Sequence, residues 1–125
     1  MLNEKLLEVL SHPVDNIVAV VTQGDDGPHV VNTWNSFVNI TPGDKLLIPV
    51  GGMNKTEKNL ARDNRVKLTI GNREVQGKMY NGTGFLITGT AGFIKEGSDF
   101  DMMKDKFPWI RTVLEVTINK VDQTL

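Results

Sequence analysis

The sequence predicts a mainly β domain, a small antiparallel barrel of about six strands with three short helices appended. Three observations carry that expectation. Runs rich in β-branched residues recur along the chain, as in Ile17-Val18-Ala19-Val20-Val21-Thr22 and Val113-Leu114-Glu115-Val116-Thr117-Ile118-Asn119, and such runs suit a pleated, half-buried surface. Gly/Asp/Pro clusters separate them, at Gly24-Asp25-Asp26-Gly27-Pro28 and Thr41-Pro42-Gly43-Asp44, which is the punctuation of hairpins. The long run at 84–94 contains Gly84, Gly89 and Gly92; glycines weaken a flat sheet but permit the sharp coiling of a small barrel.

Taken in order, residues 3–10 place Leu6, Leu7 and Leu10 at helical spacing and stop before Pro13. The nearly continuous apolar run at 17–22 predicts a well-buried strand. Asp25 and Asp26 are what a tight turn requires, so a hairpin follows and the acidic pair is not read as catalytic. His29 is expected at a strand edge. The next strand is expected over 29–40, with Asn32, Trp34 and Ser36 on one face and Thr33, Asn35 and Phe37 on the other. Neither face is purely apolar or purely polar. Such faces suit a ligand with an aromatic body and polar edges, a wet subunit interface, or a core tryptophan with satisfied amides.

Residues 45–50 read as a strand, 58–62 as one or two helical turns, and 65–71 as an alternating strand. Residues 72–81 are charged and irregular, predicting a rim loop or an exposed hairpin end. Ser98 reads as the N-cap of a helix through Lys106, which Phe107-Pro108-Trp109 ends. The last strand is expected over 113–119, with 120–125 as a tail. No repeat, linker or low-complexity segment divides the chain, so residues 1–125 are expected to form one domain.

Composition narrows the function classes. Lys plus Arg number 14 against 15 Asp plus Glu, a formal net charge of -1, whereas nucleic acids and anionic membranes call for a concentrated basic face. Neither is expected as a partner. The absence of cysteine removes thiolate nucleophiles, disulfides, iron–sulfur clusters and Cys-type zinc sites. His12 and His29 are the only histidines, too few for a His-rich metal site. Met1-Leu2-Asn3-Glu4-Lys5 does not read as a signal peptide, no run reaches the ~20 apolar residues of a membrane span, and a cytoplasmic location is expected.

The most informative stretch is Pro49-Val50-Gly51-Gly52-Met53-Asn54-Lys55-Thr56-Glu57. A strand that ends in paired glycines and then opens a helix has the parts of an anion site. Glycine lets the backbone approach a ligand, the helix N-terminus offers N–H groups, and Lys55 and Thr56 add a cation and a hydroxyl. The alternative is an ordinary loop with Asn54 as N-cap and Glu57 at N3.

With Asn32-Thr33-Trp34-Asn35-Ser36, Val50-Gly51-Gly52-Met53-Asn54-Lys55-Thr56, Gly82-Thr83-Gly84-Phe85-Leu86 and Gln123-Thr124-Leu125 in view, the chain resembles the pyridoxamine-phosphate-oxidase-like split-barrel flavoproteins. The resemblance runs from the first helix to the last residue, with the motifs in the same order and nearly the same spacing. It implies a six-stranded antiparallel Greek-key split barrel that forms a homodimer, with FMN near the subunit interface. It also implies that the Asn32-Thr33-Trp34 strand and the loop from Gly51 to Thr56 hold the ribityl phosphate, with Lys55 and Thr56 as main donors and Val50 among the cofactor-binding residues. Trp34 and Trp109 would lie near the isoalloxazine ring, with Phe37 and Gly82-Thr83-Gly84 around the site, and Leu125 would reach it from the partner subunit. Two departures stand out: Phe37 where the pattern has Tyr, and Asn54 where it has His. Strand alternation also implies that Asn32 and Thr33 cannot both reach FMN by side chain from one face.

The functional expectation is an FMN-binding electron carrier that exchanges electrons with an unidentified redox protein, and no residue is assigned a catalytic role. Alternatives are an NAD(P)H-dependent flavin reductase or other FMN-dependent oxidoreductase, including an oxidase of a phosphorylated vitamin, and a non-catalytic flavin-binding or storage module. The oxidase would need cations for a second phosphate, and the chain has only Arg62, Arg65, Arg73 and Arg111 besides its lysines. Few positive charges flank the expected ring site, which predicts a rather low potential. Leu125 is expected either to cap a neighbour's flavin or to fray.

Overall fold

A computed structural model of the chain describes residues 2–125. Helix α1 (Glu4–Leu10) starts where the Asn3 side chain accepts hydrogen bonds from the backbone N–H groups of Lys5 and Leu6, and it buries Leu6, Val9 and Leu10. Strands β1 (Ile17–Gly24) and β2 (Gly27–Trp34) form an antiparallel hairpin closed by Gly24 opposite Gly27, leaving Asp25 and Asp26 as the loop. Gly27 takes φ 122°, a backbone region that a side chain would oppose. There follow β3 (Asn39–Ile40), β4 (Leu46–Val50), α2 (Asn54–Arg62), β5 (Arg65–Gln76), β6 (Asn81–Ile94), α3 (Ser98–Lys106) and β7 (Thr112–Gln123).

The strands make one sheet in the order β2-β1-β5-β6-β7-β4-β3, antiparallel at every step. Its edges, β2 and β3, do not pair with each other, so the barrel is split rather than closed. The sheet has seven strands rather than six, the addition being the two-residue β3. Between Thr88 and Gly89 the β6–β7 register shifts, a bulge that sharpens the coil. A Cβ on Gly89 would stand 2.0 Å from the Thr117 carbonyl oxygen, so close backbone approach requires glycine there. The inner face packs Val18, Val20, Leu68, Ile70, Phe85, Ile87, Leu114 and Val116 against α1. Under α3 a second cluster joins Leu47, Met103, Ile110 and Val113. Strand β4 feeds both clusters, Leu46, Ile48 and Val50 to the first and Leu47 to the second, and all five of its residues are buried.

Several local expectations change. The strand expected through Ile40 stops at Trp34, and residues Asn35–Phe37 form a 3-10 turn. Asn35 turns its amide inward: its Oδ1 accepts from the Asn16 N–H at 2.6 Å and its Nδ2 donates to the Leu10 and His12 carbonyls, each at 3.1 Å. Those bonds outweigh continued pairing. Strand β1 is buried on alternate residues and leaves Ile17 half exposed, because the core covers only one of its faces. Residues 72–76 extend β5 instead of forming a loop, since β6 starts early enough to pair with them. Asn54 does not cap α2; that place belongs to Met53, which is left-handed (φ 56°) and offers no capping side chain. Ser98 is the first residue of α3 rather than its cap, and Gly97 takes the cap position with φ 104°. Residues 120–123 belong to β7, held by Thr88, Ile87, Leu86 and Phe85 opposite them.

Candidate functional site

The loop between β4 and α2 is built from both ends. Val50 closes the β4–β7 pairing opposite Thr112, and its carbonyl then accepts the Arg111 N–H at 2.8 Å. Two glycines follow, and Met53 turns the chain into α2. The first helical bond runs from the Glu57 N–H to the Met53 carbonyl, 2.9 Å. The N–H groups of Asn54, Lys55 and Thr56 precede it at the helix start, where no side chain caps them. Thr56 is buried, and among the described residues its hydroxyl has no hydrogen-bond partner. A buried hydroxyl left unpaired costs about 1–3 kcal/mol, so this helix start is incomplete as it stands. An oxygen-rich anion would supply an acceptor for it and match the positive end of the helix. The residues fit a phosphate group.

Beside that turn lies a cavity of about 220 Å³ lined by Asn32, Thr33, Trp34, Phe37, Pro49, Val50, Gly51, Gly52, Met53 and Trp109. Asn32 and Trp34 lie on the exposed face of β2, whereas Thr33 is buried on the other. Gly51 lies under an indole: a Cβ there would meet Trp109 Cε3 at 3.4 Å. Phe37, Phe107 and Trp109 form a tilted aromatic group, with centroids 5.4 Å (Phe37–Phe107), 5.7 Å (Phe37–Trp109) and 6.0 Å (Phe107–Trp109) apart. Trp34 and Trp109 nevertheless keep 43% and 53% of their surface exposed, so the ledge presents flat apolar faces to whatever lies over it. The lining contains no titratable side chain.

Thr83, Gly84 and Leu125 stand elsewhere, around a second cavity of about 290 Å³ shared with Ile17, Ala19, Thr69, Ile70, Gly71, Phe85 and Thr124. The Leu125 carbonyl accepts from the Thr83 hydroxyl at 2.9 Å and from Gln123 Nε2 at 3.0 Å. The Thr124 N–H donates to the Gly84 carbonyl at 2.8 Å. These bonds pin the segment while the Leu125 side chain stays 57% exposed. Gly82, with φ 110°, lies at the start of β6 and lines neither cavity. Within one protomer the expected site residues therefore fall into two groups.

Charges near the helix start are paired. Lys55 Nζ is 4.0 Å from Asp26 Oδ1 on the β1–β2 turn, and Arg62 pairs with Asp25 beside it. Glu57 accepts from Lys95 at 2.9 Å and from Arg111 at 2.8 Å. The Lys95 hydrogen bond first, then that of Arg111, hold its carboxyl below the ordinary value of 4.5. Arg111 Nη2 also donates to the Gly52 carbonyl at 2.7 Å. Sequence reading missed Lys95 and Arg111 at this turn, and no spacing signal could have found them: residues 95 and 111 meet residue 57 only through the sheet. A further concavity, about 650 Å³ along Leu60–Arg65, contains none of the expected site residues. Its arginines already face Asp25, the Gln23 carbonyl and Asp63. Among the described residues no group of three His, Asp or Glu side chains could hold a metal ion, and no helix is long and apolar enough to cross a membrane.

An antiparallel split sheet that sets an aromatic ledge beside an uncapped helix start defines the class, a small split-barrel domain. The chain belongs to the pyridoxamine 5'-phosphate oxidase family, whose model matches residues 2–125. It is 47% identical over 125 residues to the FMN-binding protein of Nitratidesulfovibrio vulgaris (strain Miyazaki F), covering all of both chains. Among solved structures, HupZ of Group A Streptococcus superposes with a TM-score of 0.79 at 13% identity, covering 98% of this chain and 94% of that one. An FMN-binding protein from Syntrophomonas wolfei gives 0.72 at 15% identity, covering 98% and 85%. These two show the fold.

Proposed function

We propose that the chain binds FMN and serves as an electron carrier, working as a homodimer with an unidentified redox protein as partner. The observation that carries the binding is the unpartnered Thr56 hydroxyl inside an uncapped helix start, directly beside the indole ledge. Asn54, Lys55 and Thr56 would hold the phosphate, with Gly51 and Gly52 letting the backbone approach it. Asn32, Thr33, Trp34, Phe37, Val50, Met53 and Trp109 would line the ring end. The 47% identical relative, itself an FMN-binding protein, supports the reading. The flavin would supply the redox chemistry. Trp109 and Trp34 would shield it from water, and the lining offers no titratable side chain to act as general acid or base, which suits electron transfer better than proton-coupled turnover of a substrate.

The test is direct. The purified chain should be yellow, and heat should release a flavin carrying one phosphate. A colourless chain that stays colourless after incubation with FMN would overturn the reading. Since no cation lines the ring cavity, an added negative charge finds little compensation there. Potentiometric titration should then place the bound midpoint at or below that of free FMN, and a midpoint well above it contradicts this. Rapid anaerobic electron exchange with a ferredoxin or cytochrome from the same cell, without bleaching by NADH or NADPH, separates carrier from reductase and from store.

A further inference from the structure

We propose that Arg111 is a positioning residue for the phosphate-binding turn, acting through Gly52 and Glu57 rather than on the ligand; the proposal rests on the FMN reading above. A turn led by two glycines has the largest backbone freedom to lose, and Gly52 has nothing within 4 Å of where a Cβ would sit. Such a turn cannot hold itself in shape with its own side chains. Arg111 holds it from outside. Its guanidinium donates to the Gly52 carbonyl at 2.7 Å and to the Glu57 carboxylate at 2.8 Å, while its own N–H donates to the Val50 carbonyl at 2.8 Å. One residue thereby ties the end of β4, the middle of the turn and the first turn of α2. A planar fork presents two nitrogens to the two acceptors at a fixed spacing, whereas an ammonium must reach both from one nitrogen on a flexible stem.

Glu57 gives Arg111 a second task. A carboxylate in the first turn of a helix favours the helix but repels an arriving phosphate. Arg111 and Lys95 both sit on that carboxylate, so the three side chains together leave a net positive charge at the turn. Arg111 thus fixes the shape of the site and removes its repulsion. Because both ends of its fork are engaged within the protein, phosphate contact falls to the backbone N–H groups, Thr56 and Lys55.

The experiment compares dissociation constants of FMN and riboflavin, measured by quenching of flavin fluorescence on the full chain. Their ratio reads the share of the phosphate alone. Arg111→Gln should narrow the ratio about tenfold and change riboflavin binding by less than about twofold, since a charge-assisted contact is lost only at the phosphate end. Arg111→Lys keeps the charge but loses the rigid fork, and should recover part of the ratio. Glu57→Gln keeps an acceptor for Arg111 and removes the repulsion, so its ratio should match or exceed that of the wild type. Equal losses for both ligands in Arg111→Gln, or an unchanged ratio, would overturn the proposal. Should Arg111→Gln not fold, a wild-type ratio in Arg111→Lys would overturn it as well. A wild-type protein that binds riboflavin as tightly as FMN refutes the phosphate reading itself, and does so before any substitution is made.

Discussion

Thr56 and Asn35 are both buried polar side chains, and they contrast usefully. Asn35 satisfies its amide three times over, linking the end of α1, the approach to β1 and the 3-10 turn. Removing such a group strands several partners, so Asn35→Ala should lower unfolding free energy by about 2–4 kcal/mol in urea titration. Thr56 is unsatisfied. Thr56→Val keeps the shape and deletes the orphaned hydroxyl, so the ligand-free chain should gain about 1 kcal/mol in unfolding free energy. FMN binding should weaken about tenfold in the same variant. Stability and affinity moving in opposite directions mark a group kept for a ligand. A variant that loses stability and keeps its affinity would place Thr56 in the core alone. The sequence nominates Thr56 as a phosphate donor and places Asn35 only on a strand face, but it cannot say which of them is hydrogen-bonded within the chain. Asn35 is decided by bonds to residues 10, 12 and 16, and Thr56 by the lack of any.

At the scale of elements, strands and hairpins were legible where the signal is local. The Asp25-Asp26 turn, the stop at Phe107-Pro108 and the glycine-bearing β6 follow from side chains within a few residues of one another. Failures came where distant segments decide. The end of β2 is set by Asn35, the extent of β5 and β7 by the reach of β6, and the start of α2 by a left-handed Met53 that no capping pattern announces. The bulge at Gly89 was half legible, as a glycine that weakens a flat strand; the 2.0 Å approach to Thr117 turns that preference into a requirement. Gly89→Ala should cost about 3 kcal/mol or fail to fold, because backbone rather than a side-chain tip must move. The end of α2 carries a pH signature. Asp63 follows Arg62, and the Arg65 guanidinium holds its carboxyl down from 3.8 to about 2. A carboxyl whose folded value is depressed stabilises above its unfolded value and loses that contribution as pH falls through the folded one. The stability gained from the pair should be complete above about pH 4 and fade toward pH 2. Asp63→Asn should remove that part of the acid sensitivity in urea midpoints measured across the window. Parallel curves for the two proteins would show that the pair contributes nothing.

At the scale of the molecule, expected site residues line two separate cavities. The ledge by Trp34 and Trp109 encloses about 220 Å³ and the patch by Leu125 about 290 Å³, each below the roughly 300 Å³ at which small-molecule pockets begin. Neither alone encloses a flavin. What joins them is a face of exposed apolar groups, with Ile17, Val30 and Trp34 on the hairpin and Leu125 pinned beside Gly84. A second copy placed over that face could lay Leu125 of one chain against the ledge of the other, each completing its partner. Sequence reading, through the family resemblance, assigns Leu125 to the partner subunit; it leaves Gly82, Thr83 and Gly84 with the ledge and gives Ile17 and Val30 no part, because their exposure is set by the pairing of β1 with β2. Ile17→Glu tests the arrangement, since Ile17 is half exposed at the second cavity and absent from the first. If the site is shared, sedimentation should find a dimer in the wild type and a monomer in the variant. FMN should then bind at least about tenfold more weakly, the affinity that about 1.4 kcal/mol of lost contact represents. Leu125→Ala should keep the dimer and open the ring to iodide quenching. A monomeric Ile17→Glu protein that binds FMN as tightly as its parent would mean that one chain suffices, and Leu125 would then have no flavin to cover.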